Sequence, residues 1–308
     1  MLSSPKILDP RAVSEIQHLL DWAWKIPRVT NPLPRPIVLR RHHFPQLREC
    51  VVTSVVPQGI NIQLVLGRFE FCRRPFCALV QSDGSFQQLE VYAPSDYFRG
   101  SVFGGQIEWN EETKVHRIHV FDVLCVRGEQ CGDGKFPQRY IHIQEAFGNN
   151  QMDLNALNSA KQGCISAIRP PIELLPKAWL NFTSFGALAR SGNVSGFLFL
   201  HKAQPVKANT HKEYFILMLK PCHVNLQVAD GQLYCLGYDH KLSLVPNAPP
   251  LTLTDGIYEL TLPHYTFQRH RPDLLRPDHI MHLRQCEAAA RDPITVTDIL
   301  NINQEPSL

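Results

Sequence analysis

The stretch that indicates the fold class is Phe76-Cys-Ala-Leu-Val-Gln81, followed by Ser82-Asp-Gly-Ser85 and by Gln88-Leu-Glu-Val-Tyr92. Two apolar or alternating runs separated by an Asp-Gly turn predict a β-hairpin. Val115–Val126 predicts a second strand, and its nearly continuous apolar end is typical of a strand buried on both faces. Short apolar runs at 196–200 and 214–219 predict further strands. The centre of the chain is therefore expected to be built from β-sheets.

Helices are predicted on both sides of this centre. Asp9 is a suitable N-cap, Pro10 occupies the favoured first helical position, and apolar residues recur on one face as far as Trp24. A proline-rich connector over 31–36 cannot be helical and should run extended. A further helix is predicted over 154–168.

The composition changes after Pro221. Short strands are predicted at Val224–Val228, Gln232–Leu236, Leu242–Val245 and Ile257–Leu262, separated by Asp-Gly or proline-rich turns. This spacing is typical of a small β-barrel. A closing helix is expected from Ile280 to Ala290, with Asp278 as its cap. We therefore expect an N-terminal helix and connector (1–30), a larger domain (31–221), a barrel with its closing helix (222–290) and a C-terminal tail (291–308).

Composition excludes several classes of protein. The 308 residues carry a formal net charge of only +3, which permits a nucleic-acid partner without requiring one. The apolar runs are far shorter than the roughly 20 residues of a membrane helix, and Met1–Pro10 lacks a signal pattern, so neither a membrane nor secretion is expected. Nine cysteines without a CxxC pair argue against a disulfide framework and a zinc ribbon. We expect an intracellular protein with reduced thiols.

Several motifs follow one another along the chain in a defined order. They are Asp83-Gly84, Gly104-Gly-Gln-Ile107, Phe121-Asp-Val-Leu-Cys-Val-Arg-Gly128, Ser195-Gly-Phe-Leu-Phe199, Ile216-Leu-Met-Leu-Lys-Pro221 and Tyr265-x-Phe-x-Arg269-x-Arg271-x-Asp273. Their order and spacing resemble the mRNA capping enzymes, which are the GTP:RNA guanylyltransferases of the lysyl-nucleotidyltransferase superfamily. The resemblance extends from about residue 30 to about residue 290.

This resemblance implies a fold and a chemistry. The implied fold is α+β, a nucleotidyltransferase domain of antiparallel sheets with helices, followed by a C-terminal OB-fold barrel and a closing helix. In the family, a lysine amine attacks the α-phosphate of GTP and forms a covalent lysyl–GMP. An arginine and a glutamate hold the ribose, further lysines neutralise the phosphates, and a metal ion together with the barrel motif orients the pyrophosphate. Such chemistry needs a deprotonated amine and a positively charged slot.

Carried over position by position, the resemblance fails where charge is needed. The nucleotide-pocket equivalents are Gln81, Asp83, Gly84, Phe86, Gln106, Phe121, Asp122, Ser195, Met218 and Lys220. Gln81 occupies the nucleophile position, and its amide cannot act as a nucleophilic amine. Phe86 replaces the arginine, Gln106 the glutamate and Ser195 an acidic residue. Met218 replaces one lysine of the fifth motif, whereas Lys220 keeps the other.

A shifted alignment does not recover the lysine. No lysine occurs between Lys25 and Lys114, and none of the four Asp-Gly pairs has a lysine two residues before it. In the barrel motif Arg269, Arg271 and Asp273 are kept, but Leu274 replaces the following lysine. The pattern resembles the inactive guanylyltransferase-like domain of cap 2′-O-methyltransferases.

We therefore expect a module without guanylyltransferase activity that acts in mRNA capping by binding RNA, a capping enzyme or cap methyltransferase, or RNA polymerase. The basic segments 40–43 and 270–284 are candidate contact surfaces, although each is equally typical of a solvated face. No cofactor is expected, and location should be nuclear, or cytoplasmic for a cytoplasmic virus. Two alternatives stay open. One is an active nucleotidyltransferase that uses GTP, Mg²⁺ and a relocated nucleophile, with Lys220 as first candidate, and the other is an unrelated β-rich interaction protein.

Overall fold

The computed structural model describes residues 9–27, 36–55, 60–81, 84–110, 112–148, 163–168, 172–190, 194–206, 214–219, 223–239, 241–272 and 274–304. The strands are β1 Ile37–Val38, β2 Cys50–Ser54, β3 Ile60–Arg68, β4 Pro75–Gln81, β5 Phe86–Gln88, β6 Val91–Tyr92, β7 Ser101–Asn110, β8 Val115–Val126, β9 Glu129–Gln130, β10 Ser166–Ala167, β11 Ile172–Pro176, β12 Leu180–Asn181, β13 Gly196–His201, β14 Tyr214–Met218, β15 His223–Ala229, β16 Gln232–Leu236, β17 Leu242–Leu244, β18 Gly256–Thr261 and β19 Thr266–His270. The helices are α1 Pro10–Trp24, α2 Phe136–Phe147, α3 Phe185–Arg190, α4 Ile280–Arg291 and α5 Val296–Gln304, with 3₁₀ helices at Arg41–Glu49, Tyr97–Arg99 and Phe182–Ser184. The predicted α+β class with mainly antiparallel sheets is confirmed.

The largest sheet contains the stretch that indicated the fold. Its strand order is β11-β8-β7-β3-β4-β5, and β9 pairs with β8. A hairpin is present, but its second strand is β5 and not the predicted 88–92, of which only Gln88 pairs with β4. Strand β6, which contains the end of the predicted strand, pairs with β10 instead. Strand β8 spans the predicted residues, and its last residues are buried as expected. The sheet is antiparallel except at its edge, where β11 pairs parallel with β8.

Helices cover both faces of this large sheet. On one face α2 contributes Ile143, Ala146 and Phe147 to the main apolar core. On the other face α1 contributes Ile16, Leu20 and Trp24 to a second core. The predicted start of α1 is confirmed, because the Asp9 carboxylate accepts a hydrogen bond from the Arg11 backbone N–H at 2.9 Å.

A second sheet has the strand order β1-β14-β13-β2-β12. The predicted strands β13 and β14 are antiparallel neighbours in it. One face carries Val52, Phe197, Phe199 and Phe215, which form a core with residues of α3 and with Ile299 of α5. Helix α5 follows the C-terminal sheet in the chain and thereby anchors the end of the described chain to this second sheet.

The C-terminal strands form a sheet with the order β17-β16-β15-β18-β19. Strands are present where the sequence predicted them, and among the described residues β17 and β19 are the edges of the sheet, so it does not close into a barrel. The reason is that α4 covers the apolar face with Ile280, Leu283 and Cys286, which a barrel would instead bury by closing. All five residues of β19 are exposed, so this strand offers no inward-facing apolar row.

Two helix predictions need correction. The cap of α4 is His279, whose ring Nδ1 accepts from the Met281 N–H, because Asp278 instead binds the backbone N–H of Asn225 at 2.8 Å. Of the helix predicted over 154–168, residues 154–162 lie outside the described residues. Residues 163–168 are not helical, because Ile165 enters the main core and Ser166–Ala167 pairs with β6. Tertiary contacts override the local pattern in this segment.

Candidate functional site

The large sheet and the second sheet meet at Phe121. This side chain packs against the α1-side core of the large sheet and also against a cluster formed by Trp179, Leu198, Leu200 and Tyr214. Most of the motif residues of the expected nucleotide pocket lie on the strands of these two sheets.

Gln81 is the last residue of β4 and is partly buried. Its backbone N–H donates to Ser85 O at 3.0 Å, and its carbonyl accepts from Gly84 N at 3.0 Å. Gly84 has a φ of +83°, a conformation that favours glycine, which explains why the turn keeps this residue. Asp83 lies outside the described residues. Phe86 follows the turn and packs against the α1-side core, so an apolar contact takes the place of the family's arginine.

Gln106 lies on β7 and is also partly buried. Its side-chain amide donates to Asn61 Oδ1 at 3.1 Å across the neighbouring strand. The position that carries a glutamate in the family is therefore occupied by a neutral amide bound to another neutral amide. This pair offers hydrogen bonds but no charge.

Ser195 and Met218 are brought together at the junction with the C-terminal sheet. Ser195 O accepts from the Leu219 N–H at 3.0 Å, and Met218 lies directly opposite Gly196. The Met218 side chain packs against the core of the C-terminal sheet. Lys220 lies outside the described residues.

Asp122 forms a buried ion pair that has a structural role. Its two carboxylate oxygens accept from Arg139 Nε at 2.8 Å and from a terminal nitrogen of the same guanidinium at 3.0 Å. The Arg139 side chain is 1% exposed, and it also donates to the carbonyls of Gly134 and Gln204. This buried bidentate ion pair joins α2 to β8, because Arg139 is on the helix and Asp122 is on the strand.

The two arginines of the barrel motif bind a carboxylate of their own chain. Glu259 Oε2 lies 2.7 Å from Arg269 Nε and 3.3 Å from a terminal nitrogen of Arg271. Burial alone would raise the pKa of Glu259, but the hydrogen bonds and charges of the two arginines and of His223 lower it below its usual value. Asp273 lies outside the described residues. Both guanidinium groups therefore already have an anionic partner.

Lys177 is a charged residue that the sequence motifs did not reveal. It follows β11 and is only 5% exposed. Burial lowers the pKa of its amine to about 8, although the charge of Glu108 opposes this shift. Its Nζ has no hydrogen bond or ion pair with any described residue. A lysine inside the otherwise apolar run from Leu174 to Trp179 was the sequence signal that could have drawn attention to it.

Glu108, whose charge acts on Lys177, is bound to His119. Glu108 Oε1 lies 2.7 Å from His119 Nε2, and both side chains are largely buried. Burial lowers the pKa of His119, while the hydrogen bond from Glu108 opposes that shift. A buried amine with a pKa near 8 is a far better nucleophile at neutral pH than an exposed lysine.

His43 holds the basic segment 40–43 in place. Its side chain is 8% exposed, stacks on Phe215 at 4.4 Å, and accepts the Arg40 backbone N–H at Nδ1. Burial, followed by the charges of His42 and Arg40, lowers the pKa of His43 to about 4. The ring is therefore neutral at physiological pH.

This shift predicts a pH-dependent stability. Because the pKa is about 4 in the folded protein and about 6.5 in the unfolded chain, the unfolded state binds the proton first as the pH falls. The contribution of His43 to stability is complete above about pH 6.5 and should decrease by about 2–3 kcal/mol towards pH 4. Urea unfolding at a series of pH values measures the slope. In His43→Asn, whose amide oxygen can take the place of Nδ1, the slope between pH 6.5 and 4 should be shallower; an unchanged slope would contradict the assignment.

Neither a metal site nor a membrane-spanning helix is found in the part of the chain that the structure describes. Among those residues, no group of three or more His, Cys, Asp or Glu side chains could hold a metal ion. In the same part of the chain, no helix has the length and apolar character needed to cross a membrane.

Comparisons with known proteins give structural likenesses only. No protein-family model matches the chain, and no curated protein matches it. Among solved structures, the chain is similar to a Lig E DNA ligase with a TM-score of 0.40 and 10% identity, over 79% of this chain and all of that one. It is also similar to the ATP-dependent DNA ligase of bacteriophage T7 in complex with ATP, with a TM-score of 0.40 and 10% identity, over 70% of this chain and 80% of that one. Because both TM-scores are low, the assignment of the fold relies on the strand pairing within this chain.

Proposed function

We propose that this chain is a catalytically inactive, guanylyltransferase-like module of mRNA cap formation that acts by binding RNA or a capping or transcription partner. The observation that carries the proposal is Gln81, an amide at the position where the resembled family has its nucleophilic lysine. Without an amine at that position the P–N bond of a lysyl–GMP cannot form there. The loss of a covalent nucleophile removes many orders of magnitude of rate enhancement.

The other replaced positions support the same conclusion. A nucleoside triphosphate with Mg²⁺ needs cationic groups for its phosphates and carboxylates for the metal. Phe86 packs against an apolar core, Gln106 is bound to Asn61, and Arg269 is bound to Glu259. These residues do not fit GTP and Mg²⁺ as the family binds them, and we propose that no cofactor is needed.

The motif residues that the chain shares with the resembled family have structural roles. The turn at Gly84 retains its left-handed conformation, and Asp122 is held in a buried ion pair. A fold that retains its structural residues and replaces its charged pocket residues is suited to binding. As a step in cap formation, such binding would take place in the nucleus, or in the cytoplasm for a cytoplasmic virus.

The proposal predicts the outcome of a covalent labelling experiment. Incubation of the wild-type chain with α-labelled GTP and Mg²⁺, followed by a denaturing gel, should leave no label on the protein, because Gln81 cannot form the P–N bond. In Gln81→Lys an amine is restored at the end of β4. A label on this variant, which still lacks the family's other charges, would be weak but detectable.

The matched control is Gln81→Met, which has similar size and no amine and should stay unlabelled. A clear label on the wild-type protein would contradict the proposal. Mapping of the modified lysine by mass spectrometry would then decide which residue had reacted.

Lys177 is the specific observation that favours the alternative of an active nucleotidyltransferase with a relocated nucleophile. In that reaction the neutral Lys177 amine would attack the α-phosphorus of GTP and a P–N bond would form. The P–O bond to the β-phosphate would break with release of pyrophosphate, and the nitrogen would release one proton to solvent. The alternative requires that the wild-type protein is labelled and that Lys177→Met abolishes the label. If the wild-type label persists in Lys177→Met, Lys220 is the next residue to replace.

A further inference from the structure

Two basic segments that are far apart in the sequence line the same groove. Arg40, Arg41 and His42 lie at the start of the 3₁₀ helix Arg41–Glu49 and form one wall. Arg284 and Arg291 of α4 contribute to the opposite wall. We call this feature the basic groove; its remaining lining residues are Glu287, Ala288 and Asp292.

The carboxylates at the basic groove are already bound. Asp292 lies 3.1 Å from Arg41, and Asp298, just outside the groove, lies 3.3 Å from the same guanidinium. Glu287 accepts from the Tyr265 hydroxyl at 2.8 Å and lies 3.7 Å from Arg291. The acidic groups therefore orient Arg41 and Arg291 and leave little negative charge to repel a polyanion.

Arg40 and Arg284 are the available cations. Both side chains are exposed, and neither has a carboxylate within ion-pair distance among the described residues. They belong to opposite walls, so a phosphodiester chain lying in the groove could contact both. His42 is exposed beside Arg40 and adds a hydrogen-bond donor.

An exposed aromatic ring stands next to Arg284. Tyr238 is 62% exposed, the Arg284 guanidinium carbon lies 5.9 Å from its ring centroid, and a terminal nitrogen of Arg284 lies 3.3 Å from its hydroxyl. A cationic groove with an aromatic ring on its rim is the arrangement by which proteins bind single-stranded nucleic acids, since phosphates contact the cations and a base stacks on the ring.

We propose that the basic groove binds single-stranded RNA, with phosphates at Arg40 and Arg284 and a base stacked on Tyr238. This inference rests on the proposed function, since it assigns the RNA-binding site of the binding module. It concerns a surface formed by the 3₁₀ helix and α4, apart from the motif positions of the nucleotide pocket.

The test measures binding of a fluorescein-labelled oligouridylate by fluorescence anisotropy at several salt concentrations. Arg40→Ala/Arg284→Ala should raise the Kd about 10-fold or more and reduce the salt slope by about 1.4, because about 0.7 counterion is released per phosphate contact on a single strand. Tyr238→Ala should raise the Kd by about 5-fold to 100-fold and leave the salt slope unchanged, since stacking releases no counterions. The control Arg73→Ala/Arg74→Ala removes the same charge from an exposed loop elsewhere and should change the Kd less than 2-fold.

Each other outcome overturns the assignment in a different way. If the wild-type chain binds but both double variants weaken binding equally, the attraction is non-specific and the groove is not the site. If polyglutamate competes as well as unlabelled oligouridylate and Tyr238→Ala has no effect, the groove is a surface for acidic peptides. If the wild-type chain does not bind oligouridylate, the groove assignment fails, while the absence of catalysis is judged separately by the covalent labelling experiment.

Discussion

Asp122→Ala is expected to lower the free energy of unfolding by about 3–5 kcal/mol, because it leaves the buried Arg139 guanidinium without its counterion. The Arg139 side chain is 1% exposed, and two of its hydrogen bonds go to the Asp122 carboxylate. The variant also removes the acceptor of the Val123 backbone N–H. Urea unfolding followed by circular dichroism measures the change as a lower midpoint.

Two comparisons make this prediction specific. Glu173→Ala breaks the more exposed ion pair with Arg117 and should change stability by less than about 1 kcal/mol. The double variant Asp122→Leu/Arg139→Met removes both charges and should be less destabilised than Asp122→Ala. If Asp122→Ala costs no more than Glu173→Ala, the ion pair is not a structural element of the fold.

Gly196→Ala is expected to lower the free energy of unfolding by about 2–3 kcal/mol through a steric clash. A Cβ atom at Gly196 would approach the backbone carbonyl oxygen of Leu217 far inside van der Waals contact. That oxygen belongs to the neighbouring strand β14, so it cannot move away without disturbing the pairing of β13 with β14. Alanine otherwise suits an extended strand better than glycine, so the whole expected loss comes from this contact.

Ser195→Ala is the matched control for the adjacent position. It removes a hydroxyl group from a partly exposed side chain and should stay within about 0.5 kcal/mol of the wild type. A Gly196→Ala protein as stable as Ser195→Ala would show that β13 and β14 can separate at this point. The prediction would then be contradicted, and close approach of the Leu217 carbonyl would no longer explain the glycine in this motif.

Much of the secondary structure could be predicted because it depends on neighbouring residues. Asp9 and Pro10 specify the start of α1 locally, and β8 is readable from its own apolar pattern. The open C-terminal sheet was not predictable in this way. Whether strands close into a barrel depends on what covers their apolar face, and in this chain α4 covers it.

Some features of the candidate site could likewise be predicted from the sequence, whereas others depend on tertiary contacts. The absence of a lysine at Gln81 is a property of sequence order alone, and no tertiary contact changes it. The role of Asp122 depends on Arg139, 17 residues away on another element, so the motif position did not reveal the buried ion pair. The sequence around Lys177 does not predict the lowered pKa of its amine, because that shift is caused by burial and burial is created by strands from distant parts of the chain.

The sequence by itself determined which residues line up with the motifs, where α1 begins and where β8 lies, and that the family's nucleophile is replaced by an amide. Only the tertiary structure decided that Arg40 and Arg284 line one groove, that Arg269 and Arg271 bind Glu259, and that Lys177 is buried. The physical reason is the separation in sequence over which each kind of interaction acts. Capping and strand propensity act over a few neighbouring residues, whereas charge pairing and desolvation depend on distances in space, which the pairing of remote strands and the packing of helices set.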